Sequence, residues 1–134
     1  SVFQWRYLYD DDAVDVDGIY LADPLSINGG TFKKSLVSTG DYGTYFREYN
    51  LSRRCTQFRA TVGIGDDSET GASGIVEVLV DGNSLYSGQF ALGQSSAVNL
   101  DVTDGLRIRF ETTTDQDDRV EYVGIGSPQV YCSQ

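Results

Sequence analysis

The chain has no histidine and no methionine among its 134 residues, and only two prolines, two cysteines and one tryptophan. Without histidine there is no Ser-His-Asp or Cys-His nucleophile, no usual zinc or iron ligand set, and no ordinary proton shuttle at neutral pH. Phosphate-cradling glycine motifs are missing as well: there is no GxxxxGK[ST] and no GxGxxG between a strand and a helix. Gly63-Ile64-Gly65-Asp66-Asp67 is glycine-rich, but no helical pattern follows it, so it reads as a turn. No apolar run approaches the ~20 residues of a membrane helix, and no charged segment precedes an apolar one as in a secretory signal. If the protein is exported, its signal or anchor is expected outside this sequence. Paired-carboxylate hydrolysis stays chemically open with 20 acidic residues, but it needs a cleft deeper than short strands usually build. The expectation is a protein that binds and does not catalyse.

Positive charge is scarce too. Ten Lys and Arg against 20 Asp and Glu leave a net charge of -10, a field that repels the phosphates of nucleic acid. Six of the ten basic residues (Lys33, Lys34, Arg47, Arg53, Arg54 and Arg59) fall between positions 33 and 59. Dispersed strand and loop positions are expected for them rather than one basic face, so nucleic acid is excluded as the main partner.

What the chain does contain is period-two alternation, the mark of half-buried strands. Phe58, Ala60, Val62 and Ile64 alternate with Gln57, Arg59 and Thr61. Val98, Leu100 and Val102 repeat the pattern, as do Leu106, Ile108 and Phe110, with Asn99, Asp101, Arg107, Arg109 and Glu111 facing away. Thr103-Asp104-Gly105 and Asp81-Gly82-Asn83 carry hairpin-type turn chemistry. The apolar run Ile75–Val80, broken by Glu77, is expected to be covered on both faces. A last strand is expected over Val120–Val130, interrupted at Gly124 and Gly126 and bent at Pro128. Short strands separated by Gly, Asn and Asp turns predict an all-β domain, a β-sandwich or jelly roll. A chain this long buries roughly two-thirds of its unfolded surface in one core.

The first 17 residues differ in character. Asp10, Asp11, Asp12, Asp15 and Asp17 follow an aromatic Trp5-Arg6-Tyr7 cluster. Residues 1–17 read either as an acidic linker ahead of a domain over 18–134, or as an extra edge strand through the alternating Phe3, Trp5 and Tyr7. Cys55 and Cys132 lack the CxxC spacing of a metal site, so a disulfide and an oxidising compartment are expected.

Several segments occur in a familiar order: Gly18-Ile19-Tyr20-Leu21-Ala22-Asp23-Pro24, Tyr45-Phe46-Arg47-Glu48-Tyr49-Asn50-Leu51, and Phe58 through Asp67. Val76 through Gly88 follows, and then Leu106-Arg107-Ile108-Arg109-Phe110. Over about residues 18–131 the sequence resembles the NPCBM family, carbohydrate-binding-module domains with a galactose-binding-like β-sandwich. Such domains accompany secreted glycosidases and, in actinobacteria, surface proteins and receptor-kinase ectodomains. The resemblance implies an extracellular or cell-surface address, a shallow glycan site, and a structural calcium ion as a common feature of the fold. The family's closing Asp-His-Ala-Asp-Trp-like run is replaced here by Asp118-Arg119-Val120-Glu121-Tyr122-Val123-Gly124-Ile125-Gly126, without the His and the Trp.

Calcium prefers hard carboxylate and carbonyl oxygens, and the best acidic cluster by spacing is Asp66, Asp67 and Glu69, with Glu121 brought near by the last strand. A sugar site needs an aromatic face and planar polar groups. Tyr42, Tyr45 and Tyr49 lie close together with Arg47 and Asn50. Tyr45, Arg47 and Tyr49 would share one strand face, either as a ligand platform or as ordinary cross-strand packing. The 115–121 loop is a further place for a ligand, and otherwise a solvated acidic loop. Asn50-Leu51-Ser52 matches the N-glycosylation pattern, which carries no meaning in a bacterial source. Two readings compete: a module binding a glycan or cell-wall polysaccharide, and a sensing or protein-binding ectodomain that keeps the fold without the sugar site. The first ranks ahead, because glycan is the ligand class that the resemblance names.

Overall fold

The computed structural model describes residues 2–134. Its strands are β1 (Phe3–Tyr7), β2 (Asp15–Asp17), β3 (Ile19–Ala22), β4 (Leu25–Ile27), β5 (Gly30–Phe32), β6 (Ser35–Ser38) and β7 (Thr44–Asn50). They continue as β8 (Cys55–Ile64), β9 (Ser73–Val80), β10 (Asn83–Ala91), β11 (Ser95–Asp101), β12 (Arg107–Thr114) and β13 (Val123–Ser133). A single 3-10 turn, Leu8–Asp10, follows β1. Among the described residues no helix is long and apolar enough to cross a membrane.

Two antiparallel sheets make a β-sandwich. The first runs β11-β8-β13-β6-β3, with β1 also paired to β13; the second runs β10-β9-β12-β7-β2; β4 and β5 form a separate hairpin. The alternation explains the core between them. Phe58, Val62 and Ile64 of β8 and Val123 and Ile125 of β13 are buried against Val76 and Val78 of β9 and Ile108 and Phe110 of β12. The Phe58 and Phe110 rings meet across the sandwich with centroids 5.5 Å apart. Fully burying side chains of this size contributes about 1.5–3 kcal/mol each.

The disulfide is present: Cys55 and Cys132 are directly opposite on β8 and β13 and joined. β13 changes register between Gly126 and Gln129, with Ser127 at φ 48°. This bulge lets the two halves of one edge take different partners. Gly124 and Ile125 pair with β6, and Gln129 to Ser133 pair with β1. The 3–17 segment is woven into both sheets, through β1 on β13 and β2 on β7. Leu8 between them is fully buried. Asp10 and Asp11 of the acidic run meet Lys34 at 2.8 Å and Arg6 at 3.0 Å.

Three local expectations need correction. Asp81-Gly82 is a true hairpin turn, with φ of 50° and 81° at its central residues, as the type I′ turn demands. Thr103-Asp104-Gly105 is not a hairpin, because β11 pairs with β8 while β12 pairs with β7 and β9. The turn instead carries the chain from one sheet to the other; turn chemistry sets a local reversal, not the strand's partner. Leu106, left in this crossover, is 38% exposed and does not join Ile108 and Phe110 in the core. Finally, Ile75–Val80 is covered on one face only: Val76, Val78 and Val80 point inward, while Glu77 and Leu79 are half-buried and Ile75 is exposed.

The β4–β5 hairpin lies on the outer face of the first sheet, over a floor of glycines. A Cβ on Gly124 would sit 2.8 Å from Leu25 Cδ2 and 3.1 Å from Ile27 Cδ1; one on Gly126 would sit 2.8 Å from the Phe32 ring. Gly63, opposite Gly124, would meet Ile27 Cγ2 at 2.8 Å. Side chains at these outward positions would lift the hairpin away, and Ile27 could not be buried as it is.

Candidate functional site

On one side of the docked hairpin the outer face opens into a cleft of about 330 Å³, lined by Ala22, Pro24, Leu25, Ser26, Val37, Gly65, Asp66, Asp67 and Tyr122. Backbone bonds set its walls. Asp66 N–H donates to Ser26 O at 2.9 Å, and Gly65 N–H donates to Tyr122 O at 2.8 Å. The Asp66 carboxylate accepts from Gly29 N–H at 3.0 Å. Asp67 is exposed and has no hydrogen bond or ion pair among the described residues. The Tyr122 ring lies against Gly40, where a Cβ would approach its Cε1 to 3.0 Å. Chemically the cleft offers one aromatic ring, the apolar Pro24 and Leu25, and carboxylate oxygens that only accept hydrogen bonds.

Tyr122 is held by a cross-tied pair of loops. Val120 N–H donates to Glu69 Oε1 and Glu69 N–H to Val120 O, both at 2.9 Å. Tyr122 N–H donates to Ser68 Oγ at 2.9 Å, and the Arg119 guanidinium to Gly71 O at 2.8 Å. Glu121 is fully buried. Its carboxyl oxygens accept from Ser73 N–H at 2.7 Å and Gln116 N–H at 3.3 Å. These bonds replace the water such a group loses on burial.

The expected calcium set does not assemble. Asp66, Glu69 and Glu121 are each engaged by separate backbone amides. Among the described residues no three Asp, Glu, His or Cys side chains lie close enough to share an ion. Sequence spacing groups Asp66, Asp67 and Glu69, but the amides that engage Asp66, Glu69 and Glu121 belong to separate segments: Gly29, Val120, and Ser73 with Gln116.

The tyrosine face takes the packed arrangement of its two alternatives. Tyr45, Arg47 and Tyr49 do share a face of β7, but it is the inward face. Tyr49 is fully buried, and Arg47 is half-buried, donating from Nε to Tyr49 Oη at 2.6 Å and from Nη1 to Ile19 O at 3.0 Å. Burial pushes the Tyr49 phenol above its ordinary pKa, and the Arg47 bond offsets this in part. Tyr45 packs over Gly18 and donates to Tyr42 O at 3.0 Å. Its phenol is raised mainly by desolvation, with Asp41 and Asp17 adding to the shift. Asn50 accepts from Ser52 N–H at 2.9 Å, closing a local turn. Tyr42 alone of the three tyrosines is exposed. Alternation marks two faces without saying which one turns inward, and here Tyr45, Arg47 and Tyr49 turn inward while Phe46 and Glu48 face out beside Arg109. Arg109 on the outer face stacks 3.8 Å from the Phe46 centroid and pairs with Glu111 at 2.8 Å.

The profile of the NPCBM/NEW2 domain matches residues 5–124. The chain belongs to the NPCBM/NEW2 family. A protein of Renibacterium salmoninarum named as an endo-alpha-N-acetylgalactosaminidase is 32% identical over 79 residues, 59% of this chain and 5% of that protein. This NPCBM domain therefore spans about one-twentieth of the length of that relative. Among solved structures, the CBM51 of a Clostridium perfringens GH95 protein in complex with methyl-galactose superposes with a TM-score of 0.78 at 15% identity, covering 95% of this chain and 99% of that one. The tandem CBM51 modules of a Streptococcus pneumoniae family 98 glycoside hydrolase give 0.76 at 17% identity, covering 97% and 47%. The CBM51-2 and INT domains of Clostridium perfringens ZmpB, in complex with GlcNAc, give 0.78 at 15% identity, covering 96% and 32%. These likenesses establish the galactose-binding-like sandwich.

Tyr122 was not legible as a site residue in the sequence. It stands in the stretch that departs from the family's closing run, and only the fold sets it beside Asp66 and Asp67.

Proposed function

We propose that this NPCBM domain is a non-catalytic module that binds a neutral saccharide in the cleft between Tyr122 and Asp66-Asp67. The observation that carries the reading is the composition of that cleft. Tyr122, the apolar Pro24 and Leu25, and two carboxylates line it together, and one carboxylate, Asp67, has no hydrogen bond or ion pair among the described residues. The ring and the apolar pair suit the C–H face of a pyranose, while Asp66 and Asp67 accept hydrogen bonds from its hydroxyls. Two acids in a chain of net charge -10 disfavour an anionic ligand here. Family membership supports the same class of ligand, and the disulfide suits an extracellular or cell-surface setting. The cleft is shallow, so the affinity expected is weak.

The test is a glycan array on the disulfide-intact domain, with methyl-galactoside and N-acetylglucosamine included because structural relatives are complexed with those sugars. It is run with calcium and with chelator. The expected result is a neutral-glycan signal that persists in chelator and is lost in Tyr122→Ala and Asp67→Asn. A signal that chelation abolishes would return calcium to the site. Retention in both variants, with loss in Tyr42→Ala, would move the ligand to the β7 end. Silence on neutral glycans would favour a protein-binding ectodomain.

A further inference from the structure

On the other side of the β4–β5 hairpin the outer sheet face has the opposite chemistry. β1 places Phe3 and Trp5 beside Tyr131 of β13, with ring centroids 5.3 and 5.2 Å from the Tyr131 ring. The Arg59 guanidinium of β8 lies 3.8 Å from the Trp5 centroid and donates to Gln129 Oε1 at 2.9 Å. Asn99 of β11, directly opposite Arg59, is exposed. On the β1 side of Arg59, away from Asn99, Lys33 extends over Tyr7, with its ammonium 5.4 Å from the ring centroid. Among the described residues neither Arg59 nor Lys33 meets a carboxylate within ion-pair distance, although acids outnumber bases two to one in the chain. A groove of about 290 Å³, lined in part by Arg59, Asn99 and Gln129, runs along this face.

We infer that this face is a second ligand surface, taking an acidic saccharide whose uronate carboxylate meets Arg59 while its rings lie on Phe3, Trp5 and Tyr131. The guanidinium fork matches a carboxylate, and stacking on Trp5 holds it rigid before the ligand arrives. The flanking aromatic faces suit pyranose C–H surfaces, and the Asn99 and Gln129 amides offer both donors and acceptors to hydroxyls. Arg59 and Lys33, without an ion pair among the described residues, supply the charge complementarity that selects an anion over a neutral sugar. The inference does not rest on the cleft: one site selects a neutral and the other an acidic saccharide, and they lie on opposite sides of the hairpin.

Trp5 is the single tryptophan of the chain, so intrinsic fluorescence reports from the site itself. The protein is titrated with trigalacturonate, trimannuronate and a hyaluronate tetrasaccharide, with neutral cellotriose and pentaglutamate peptide alongside. The expected result is a Trp5 emission change with at least one uronate oligosaccharide and an apparent Kd that rises with salt. Arg59→Gln should weaken the binding about tenfold or more, since it removes a charge-assisted contact. Arg59→Lys should fall between the two, and Tyr122→Ala should leave it unchanged. No response to all three uronates, or an equal response to cellotriose, overturns the inference. A tighter response to pentaglutamate also overturns it, and assigns the face to an acidic protein segment instead. Unchanged thermal unfolding of the Arg59 variants shows that loss of binding is not loss of fold.

Discussion

Replacing Glu121 by Gln tests whether the loop pair that carries Tyr122 is held by one buried carboxyl group. Glu121 is fully inside the protein, and its two oxygens accept from Ser73 N–H at 2.7 Å and Gln116 N–H at 3.3 Å. Glutamine keeps the volume but turns one acceptor into a donor, so one of the two amides faces an N–H. If that amide is Ser73, which is half-buried, it loses its partner and the variant is destabilised by about 1–3 kcal/mol. If it is Gln116, which is exposed, water replaces the bond, so the smaller figure applies. For a domain of this size that corresponds to a fall in Tm of roughly 4–10 °C. The assay is thermal unfolding by circular dichroism with the disulfide intact, followed by saccharide titration of the folded variant at low temperature. Looser tethering of residues 115–122 should also weaken cleft binding, because Tyr122 directly follows Glu121. A Tm within one or two degrees of the parent protein would refute the assignment of Glu121 as the tie between these loops.

Other outcomes follow from the same structure. Cys55→Ala with Cys132→Ala opens a link between residues 77 apart in sequence, and should lower the unfolding free energy by about 4 kcal/mol in the chain-entropy model; a urea midpoint that does not move would refute this. Gly124→Ala puts a methyl 2.8 Å from Leu25 Cδ2 and should destabilise by about 1–3 kcal/mol through overpacking. Hydrogen exchange over residues 25–32 should speed up in that variant, and unchanged protection would mean that the hairpin is not seated on Gly124. Asp81 accepts from the Leu106 and Arg107 amides at 3.0 and 2.9 Å, which hold its carboxyl below the usual carboxylate value. A depressed carboxylate stabilises the fold above its unfolded pKa of ~3.9, and that stabilisation is lost as pH falls through the folded value. Melting temperature followed from neutral pH down to about pH 2 should therefore drop more steeply below ~4 in the parent protein than in Asp81→Asn; parallel curves would contradict the sign.

Much of the architecture could be read without the fold, because strand alternation is a local property. Phe58, Ala60, Val62 and Ile64 declare one buried face whichever strand lies beside them, and Asp81-Gly82 specifies a tight hairpin through backbone conformations that few other residues adopt. The cysteine pair, the all-β class and the family's order of segments belong to the same kind of information. What the sequence left open were questions about partners far along the chain. Thr103-Asp104-Gly105 has hairpin chemistry, yet joins two sheets, since pairing is settled by which core each flanking strand helps to fill. Tyr45, Arg47 and Tyr49 alternate as an exposed platform would, yet they face inward, where Tyr49 packs edge-on to Phe110. Asp66, Asp67 and Glu69 were grouped by spacing, with Glu121 added through the last strand, yet Asp66 and Glu121 are engaged by different backbone amides. The cleft at Tyr122 and the cationic aromatic face at Trp5 both depend on strands from opposite ends of the chain lying side by side. Sequence periodicity fixes which residues can face together; only the closing of the two sheets brings remote residues into one site.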